Sequence, residues 1–189
     1  MNTEKKDRRV RRTKTLLTKG LMQLMEEKDI RDISVRELSD LADINRGTFY
    51  LHYKDIYDLL DNIEDELFTE FNGIINRHLT SDFQVLAPQS TLEDIFTFLE
   101  KHREVARVMV GPHGDLAFVN RLKNLVKEHM DSIADLRDSA CEYVYTEAFI
   151  VSGCIGVIET WLNHPTPRSP KEMAAYCSDF LIKGLTAVQ

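Results

Sequence analysis

Gly47, Thr48 and Leu51 fall together on one side of a helix that begins near Arg46, when its residues are placed at about 100° each. Tyr50 and His52 lie on either flank, and Lys54 follows just past the end. Phe49 and Tyr53 fall together on the opposite side, where they can be buried. Small residues in the middle let a helix backbone approach base edges in a major groove. Hydrogen-bonding side chains on the flanks then reach phosphates on both groove walls, and Lys54 adds a point charge for the same backbone. An amphipathic core helix is the simpler reading. Its outer face would ordinarily be a Glu/Lys mixture, however, and here it is Gly, Thr, Tyr and His.

Such a helix needs others to hold it. In SVRELSDLADINRGTFYLHYK, residues 34–54, Val35, Leu38, Leu41 and Ala42 recur at helical spacing. Ser34 and Glu37 form an S-x-x-E capping box that marks the start, and Asp43 marks a break. Asn45 is a good N-cap for the helix after it. Two short helices joined by a short turn read as a helix-turn-helix. A first helix is expected from Asp7 to about Lys28, with Val10, Leu17, Leu21 and Leu24 on one stripe and Met1–Lys6 frayed. Its start carries Arg8, Arg9, Arg11, Arg12 and Lys14. Positive charge at a helix N-terminus opposes the macrodipole, so a phosphate partner explains these residues better than a solvated helix end. The three helices are expected to bury a small core containing Leu38, Leu41, Ile44 and Phe49.

The run RGTFYLHYKDIYDLL resembles the recognition helix and following segment of the TetR family of bacterial transcription regulators, and SVREL resembles the helix before it. The resemblance is specific over about Thr15 to Leu60. Many relatives have glycine where this chain has Asp43, and aspartate tolerates the left-handed conformation better than most residues. The resemblance implies that Ser34, Tyr50, His52 and Lys54 hold phosphates and that Arg36, Arg46, Gly47, Thr48 and Leu51 face base edges. Leu51 stands where relatives vary, and an aliphatic side chain there has a thymine methyl as its best partner. Further on, GPHGDLAFVNRLK and GCIGVIETWLNHPTPRSPKEMA resemble the C-terminal region of a subgroup that includes dihydroxyacetone-kinase regulators. The expectation is an all-α protein with a helix-turn-helix DNA-binding domain over residues 1–54 and a helical effector-binding and dimerisation domain over residues 55–189. Its partners would be a palindromic double-stranded operator, a second copy of the chain and a small-molecule effector that releases a repressor. A helical coactivator that works through protein–protein contacts is the alternative, and the intact Gly47, Thr48, Tyr50, His52, Lys54 set favours DNA.

Composition agrees with one end being offered to DNA. The 189 residues carry a net charge of −7, long enough for a sizeable core. Residues 1–54 hold 13 Lys+Arg against 9 Asp+Glu, a net of +4, and residues 55–189 hold 11 against 22, a net of −11. Cys141, Cys154 and Cys177 make no C-x-x-C pair and read as small buried hydrophobes of a reduced, cytoplasmic protein. No signal peptide opens the chain, and the most apolar run, residues 148–158, is too short to span a bilayer. His113-Gly114-Asp115 offers no second metal ligand, and no G-x-S-x-G, P-loop or dinucleotide fingerprint occurs, so neither metal, cofactor nor enzyme activity is expected. Asp61, Asp65 and Glu66 read as a solvated helix face.

Beyond the head, Asp55 is expected to cap a long helix to about His78, with Ile56, Leu59, Leu60, Ile63, Leu67, Phe71 and Ile75 on its stripe. No flexible linker precedes it, so head and body should be joined by a stiff rod. A loop over Ser81–Ser90, with Pro88, leads to a helix capped by Ser90 and Glu93. A short helix, Arg103–Val110, stops at Gly111-Pro112, and another runs from Asp115 to about Ile133. The helix near Arg137–Asn163 is apolar almost all round between Ala148 and Ile158, which reads as burial on every side. Ser169-Pro170-Lys171-Glu172 combines N-cap, N1 proline and capping box for a last helix to Val188. Dimerisation is expected through the last two helices, with Ala148, Ser152, Ile155, Gly156, Cys177, Phe180 and Leu181 at the interface beside Met173 and Leu185. A mostly apolar effector is expected among Phe68, Phe71, Phe96, Leu99, Met109, Phe118, Leu122 and Phe149.

Overall fold

In the computed structural model, residues 2–78, 89–133, 140–165 and 168–186 are described, and every regular element among them is helical. Helix α1, Asn2–Met25, begins at the second residue instead of Asp7. The segment Asn2–Lys6 contains neither Gly nor Pro, and Glu and Lys are good helix formers. Leu17, Leu21, Met22 and Met25 form its buried side. Gly20 lets α2 come close, since a Cβ there would lie 2.9 Å from Leu38 Cδ1. A turn of 3-10 helix, Ile30–Asp32, leads to α2, Val35–Leu41.

Half of the expected capping box forms at the start of α2. Ser34 Oγ accepts from the Glu37 amide at 3.2 Å, while the Glu37 carboxylate pairs with Lys28 instead of reaching back. Asp43 closes the turn at φ 53°, the left-handed region its sequence position called for, and the Ile44 amide donates to Ser39 O at 2.9 Å. Asn45 then caps α3, Arg46–Tyr50, accepting from the Gly47 amide at 2.7 Å. Leu38 and Phe49 are fully buried in this small core and Ile44 packs against it. Leu41, expected there, is 43% exposed, because α2 is too short to bury both flanks of its stripe.

Asp55 caps α4, Ile56–His78, and Asp58 ties back to the residue before it. The Asp55 carboxylate accepts from the Asp58 amide at 2.9 Å, and the Asp58 carboxylate accepts from the Lys54 amide at 2.8 Å. This ties the end of the reading segment to the first turn of the rod. The α4 stripe is buried as expected, with Ile74 added. Helix α5 is Gln89–Lys101, so Ser90 lies inside the helix and not at its cap; glutamine, the better helix former, extends it backwards. Residues 79–88, including the expected loop with Pro88, lie outside the described residues. The body continues with α6, Arg103–Met109; α7, Leu116–Ile133; α8, Ala140–Asn163; and α9, Pro170–Thr186. The expected starts and ends at Arg137 and Val188 lie outside the described residues, as do the side chains of Cys141 and Leu185. The Ser169/Glu172 box forms completely, with Glu172 accepting from both the amide and the hydroxyl of Ser169. Those bonds hold the Glu172 carboxyl below the usual range.

One continuous apolar core runs from Leu17 in α1 through Leu59, Phe71 and Phe96 to Trp161 and Ala174. Helix α9 lies along α5, and α8 packs on α6 and α7. Helix α8 is not buried on every side. Ile150, Trp161 and Leu162 face inwards, but Tyr145 is 73% and Phe149 70% exposed. Its neighbours within the chain cover one face, and among the described residues Tyr145 and Phe149 on the other face stay exposed. Between residues 1–54 and the body, Arg107 pairs with Glu26 and His113 Nδ1 lies 2.8 Å from Asp29, while within the body Arg121 lies 2.7 Å from Asp65. Exposed pairs of this kind contribute little energy and act mainly to fix orientation. The bond from His113 nevertheless holds the Asp29 carboxyl below its ordinary range.

Candidate nucleic-acid interface

The α2–turn–α3 unit divides its side chains as a reading surface requires. Within α3 and the turn after it, Phe49 and Tyr53 are buried, at 0% and 5% exposure. Arg46, Gly47, Tyr50, Leu51 and Lys54 are exposed, and Thr48 and His52 are half-buried. Leu51 is 80% exposed. The helix itself ends at Tyr50, but the His52 and Tyr53 amides both donate to Phe49 O, at 2.9 and 3.0 Å. Helical geometry therefore carries on far enough to place Leu51 and His52.

Position is fixed by the rings beneath. Tyr50 rests edge-on against Phe49 with centroids 5.5 Å apart, and Tyr53 packs against Phe49 at 5.8 Å. Burial, followed by the charges of Glu66 and Asp58, pushes the Tyr53 phenol up, so it stays neutral under the reading face. Gly47 leaves room for the cap, because a Cβ there would sit 3.1 Å from Asn45 Oδ1, a tight contact. Ser34 is exposed, and its hydroxyl accepts one bond while keeping its proton to donate. Arg36 lies 3.8 Å from Asp40, both highly exposed, a pair weak enough to yield to a phosphate or base. Arg8, Arg9, Arg11 and Arg12 are exposed as well. With α1 starting at Asn2 they lie beyond its first turn, where the dipole has faded, so the macrodipole argument for a phosphate partner no longer applies to them. Asp58, which holds the Lys54 backbone, went unread. The D-x-x-D spacing from Asp55 was its signal, the acidic counterpart of an S-x-x-E box.

The residues expected around an effector divide differently. Phe71, Phe96, Leu99, Met109 and Phe118 are buried in the shared core, with Phe68 and Leu122 packed against it. Phe71 meets Phe98 at 5.9 Å, and Phe96 meets the Trp161 ring edge-on at 5.2 Å. The Arg121 guanidinium covers Phe68, 3.7 Å from its centroid. Phe149 does not join them, since its ring points away into solvent. Two open clefts lie elsewhere, one along α9 beside Gln89 of α5 and one between α8 and α9. The latter, of about 510 Å³, is lined by Gly153, Gly156, Trp161, Met173 and Tyr176 among others, and none of the eight expected residues lines either. Of the expected dimer residues, Ala148, Ser152, Gly156 and Phe180 are exposed, and Ile155, Cys177 and Leu181 are half-buried. Burial pushes the thiols of Cys154 and Cys177 up, the latter to about 11. Among the described residues no group of three metal-ligating side chains gathers, and no helix is long and apolar enough to cross a membrane.

Comparison with known proteins agrees with this geometry. Residues 17–63 match the profile of "bacterial regulatory proteins, tetR family", and residues 87–183 match that of a "transcriptional regulator C-terminal region". A curated relative, the uncharacterized HTH-type transcriptional regulator YxbF of Bacillus subtilis (strain 168), is 24% identical over 169 residues. That alignment takes in 82% of this chain but only 41% of the relative's length. Among solved structures, a TetR transcriptional regulator from Streptococcus agalactiae 2603V is similar with a TM-score of 0.59 and 19% identity, over 95% of this chain and 98% of the other. The dihydroxyacetone kinase operon activator DhaS is similar with a TM-score of 0.54 and 18% identity, over 93% and 97%. At these identities the two structures speak for the fold alone. The C-terminal profile takes in just over half of the chain and the N-terminal profile adds the helix-turn-helix, so the chain belongs to the TetR family of bacterial regulatory proteins.

Proposed function

We propose that this regulator binds a palindromic DNA operator as a homodimer and is released from it by a small molecule, as a cytoplasmic repressor. The observation that carries the reading is the division of α3 and the turn after it: Phe49 and Tyr53 buried, with Arg46, Gly47, Tyr50, Leu51 and Lys54 exposed. Tyr50, His52, Lys54 and Ser34 are assigned to phosphates, and Arg36, Arg46, Gly47, Thr48 and Leu51 to base edges. Residues 1–54 would form the reading domain and residues 55–189 the effector and dimer domain. The exposed face of α8, with Phe180 of α9, supports a second copy as its cover. A two-fold dimer then sets the recognition helices about one DNA turn apart, roughly 34–36 Å or a little more.

The effector is assigned to the interior around Phe68, Phe71, Phe96, Leu99, Met109, Phe118 and Leu122, with Phe149 moved to the dimer face. Those rings belong to, or pack against, one apolar core, so a mostly apolar ligand must part them. Met109 supplies an adaptable wall for that. The coupling is reciprocal: a ligand that weakens DNA binding by some factor is itself bound more weakly by that factor when DNA is present.

Lys54→Ala tests the reading at an exposed charge. Affinity should fall by a similar factor for all DNA sequences, and the slope of log affinity against log salt should shrink by about 0.9 for each phosphate that the variant leaves unneutralised. Fluorescence anisotropy over a salt series measures both. Unchanged affinity with an altered preferred site would make Lys54 a base reader.

A further inference from the structure

Helix α4 carries one acidic side chain that DNA recognition does not use. Glu64 is 8% exposed, and its Oε1 is buried without a hydrogen-bond partner. It lies on the apolar stripe of the rod, spaced with Leu60, Leu67 and Phe71, while Asp61, Asp65 and Glu66 point to solvent. The charges that reach it are Asp61 and Asp65 on its own helix, Asp115 just before α7, and Arg121 on α7. Arg121 does not neutralise it, because that guanidinium is bonded to Asp65 and stacked over Phe68. On α5, the ion pairs of Asp94 with His78 and of Lys101 with Glu70 fall further along α4, and Lys14 of α1 reaches α4 at Glu66.

An ionised carboxylate in this position has lost its water and gained three acidic neighbours. Burial first, then Asp115 and Asp61, push the Glu64 carboxyl up to about 7, with only partial relief from Arg121. A hydrated cation needs several oxygen ligands and room, and among the described residues no such group forms. A proton needs neither.

We propose that Glu64 is a proton-operated latch: as a neutral acid it lets α4 pack against α7 and hold the reading head in place, and its ionisation drives the two helices apart. The effect on operator binding rests on the DNA-binding reading above; the effect on packing does not. The packed state binds the proton more tightly than the unfolded chain, in which the carboxyl returns to about 4.5. Its advantage is therefore complete below about pH 4.5 and is lost as pH rises through about 7. Loosening the rod costs the head its preorganisation, so DNA affinity falls in the same direction.

The test compares wild type with Glu64→Gln, which keeps the shape and cannot ionise. Carboxyl-labelled glutamate followed by NMR should show one resonance titrating near pH 7 in the wild type and absent from the variant. Affinity is then measured from about pH 6 to about pH 8 for a duplex selected on the wild type, at about pH 6, from a random-sequence library. One proton per protomer allows the wild type to lose as much as about tenfold more affinity than the variant per protomer over that range, or about a hundredfold for a dimer on a two-fold site. Contributions from the histidines are common to both proteins and cancel. A Glu64 resonance titrating below about pH 5 overturns the latch, and this wild-type measurement decides the matter even if Glu64→Gln fails to fold. Parallel affinity profiles overturn the latch's role in operator binding while leaving DNA binding intact. Failure to select any duplex overturns the DNA-binding reading itself, and the latch's effect on it.

Discussion

Phe149→Glu should leave the helical fold intact, convert the protein to monomers, and lower operator affinity on the order of 10²–10⁴-fold. The fold survives because the ring is 70% exposed and leaves no cavity in its own chain. Val144 and Tyr145, a turn earlier on α8, and Tyr176 and Phe180 of α9 are also more than half exposed, apolar side chains of the kind that mark an interaction site. Across a two-fold axis each substitution appears twice, so the interface receives two buried carboxylates with no partner. A monomer then holds only one half-site and forfeits the effective concentration that the second head gains once the first is bound. Sedimentation velocity reads the assembly, circular dichroism the fold and anisotropy the affinity. A dimer that persists would move the interface to another surface.

Phe49→Ala should destabilise the reading head by about 3–5 kcal/mol, the range for truncating a fully buried phenylalanine. The loss falls where the structure has least to spare. Helix α3 spans Arg46–Tyr50, far too short to hold its shape without packing. Tyr50 and Tyr53 both rest on the Phe49 ring, so the outer face loses its floor along with the core. Thermal unfolding should move by about 6 °C or more for a chain of this size, and specific DNA binding should disappear. A shift worth less than about 1 kcal/mol would mean that the head does not depend on this ring.

Local chemistry was the most legible part of the sequence. Ser34, Asp43, Asn45 and Asp55 each perform the cap or turn that their residue type favours, because those bonds reach no further than a few residues. The inward pair Phe49 and Tyr53 was legible for the same reason. Features that depend on neighbours distant in the chain were not. An all-round apolar helix has no polar face to reveal which side meets its own chain, and so Phe149 read as interior when it is exposed. Glu64 stands in sequence among Asp61, Asp65 and Glu66, which read as a solvated face and hide it. Its spacing with Leu60 and Leu67 was the available signal, and only the packing of α4 turns that spacing into burial. The effector residues show the limit in another way. Aromatic residues on several helices look alike in sequence whether they line a cavity or fill a core, and here Phe71, Phe96 and Phe118 fill one.

The central claim is that Arg36, Arg46, Gly47, Thr48 and Leu51 face DNA bases as a two-fold pair. Sequencing the genomic fragments retained by the purified protein, against input DNA and against Phe149→Glu, tests it most directly. One inverted repeat should be enriched, with half-site centres roughly 34–36 Å apart or a little more, and the enrichment should be lost in the variant. Retention of no sequence above input would contradict it, and would leave the helical body acting through contacts with another protein.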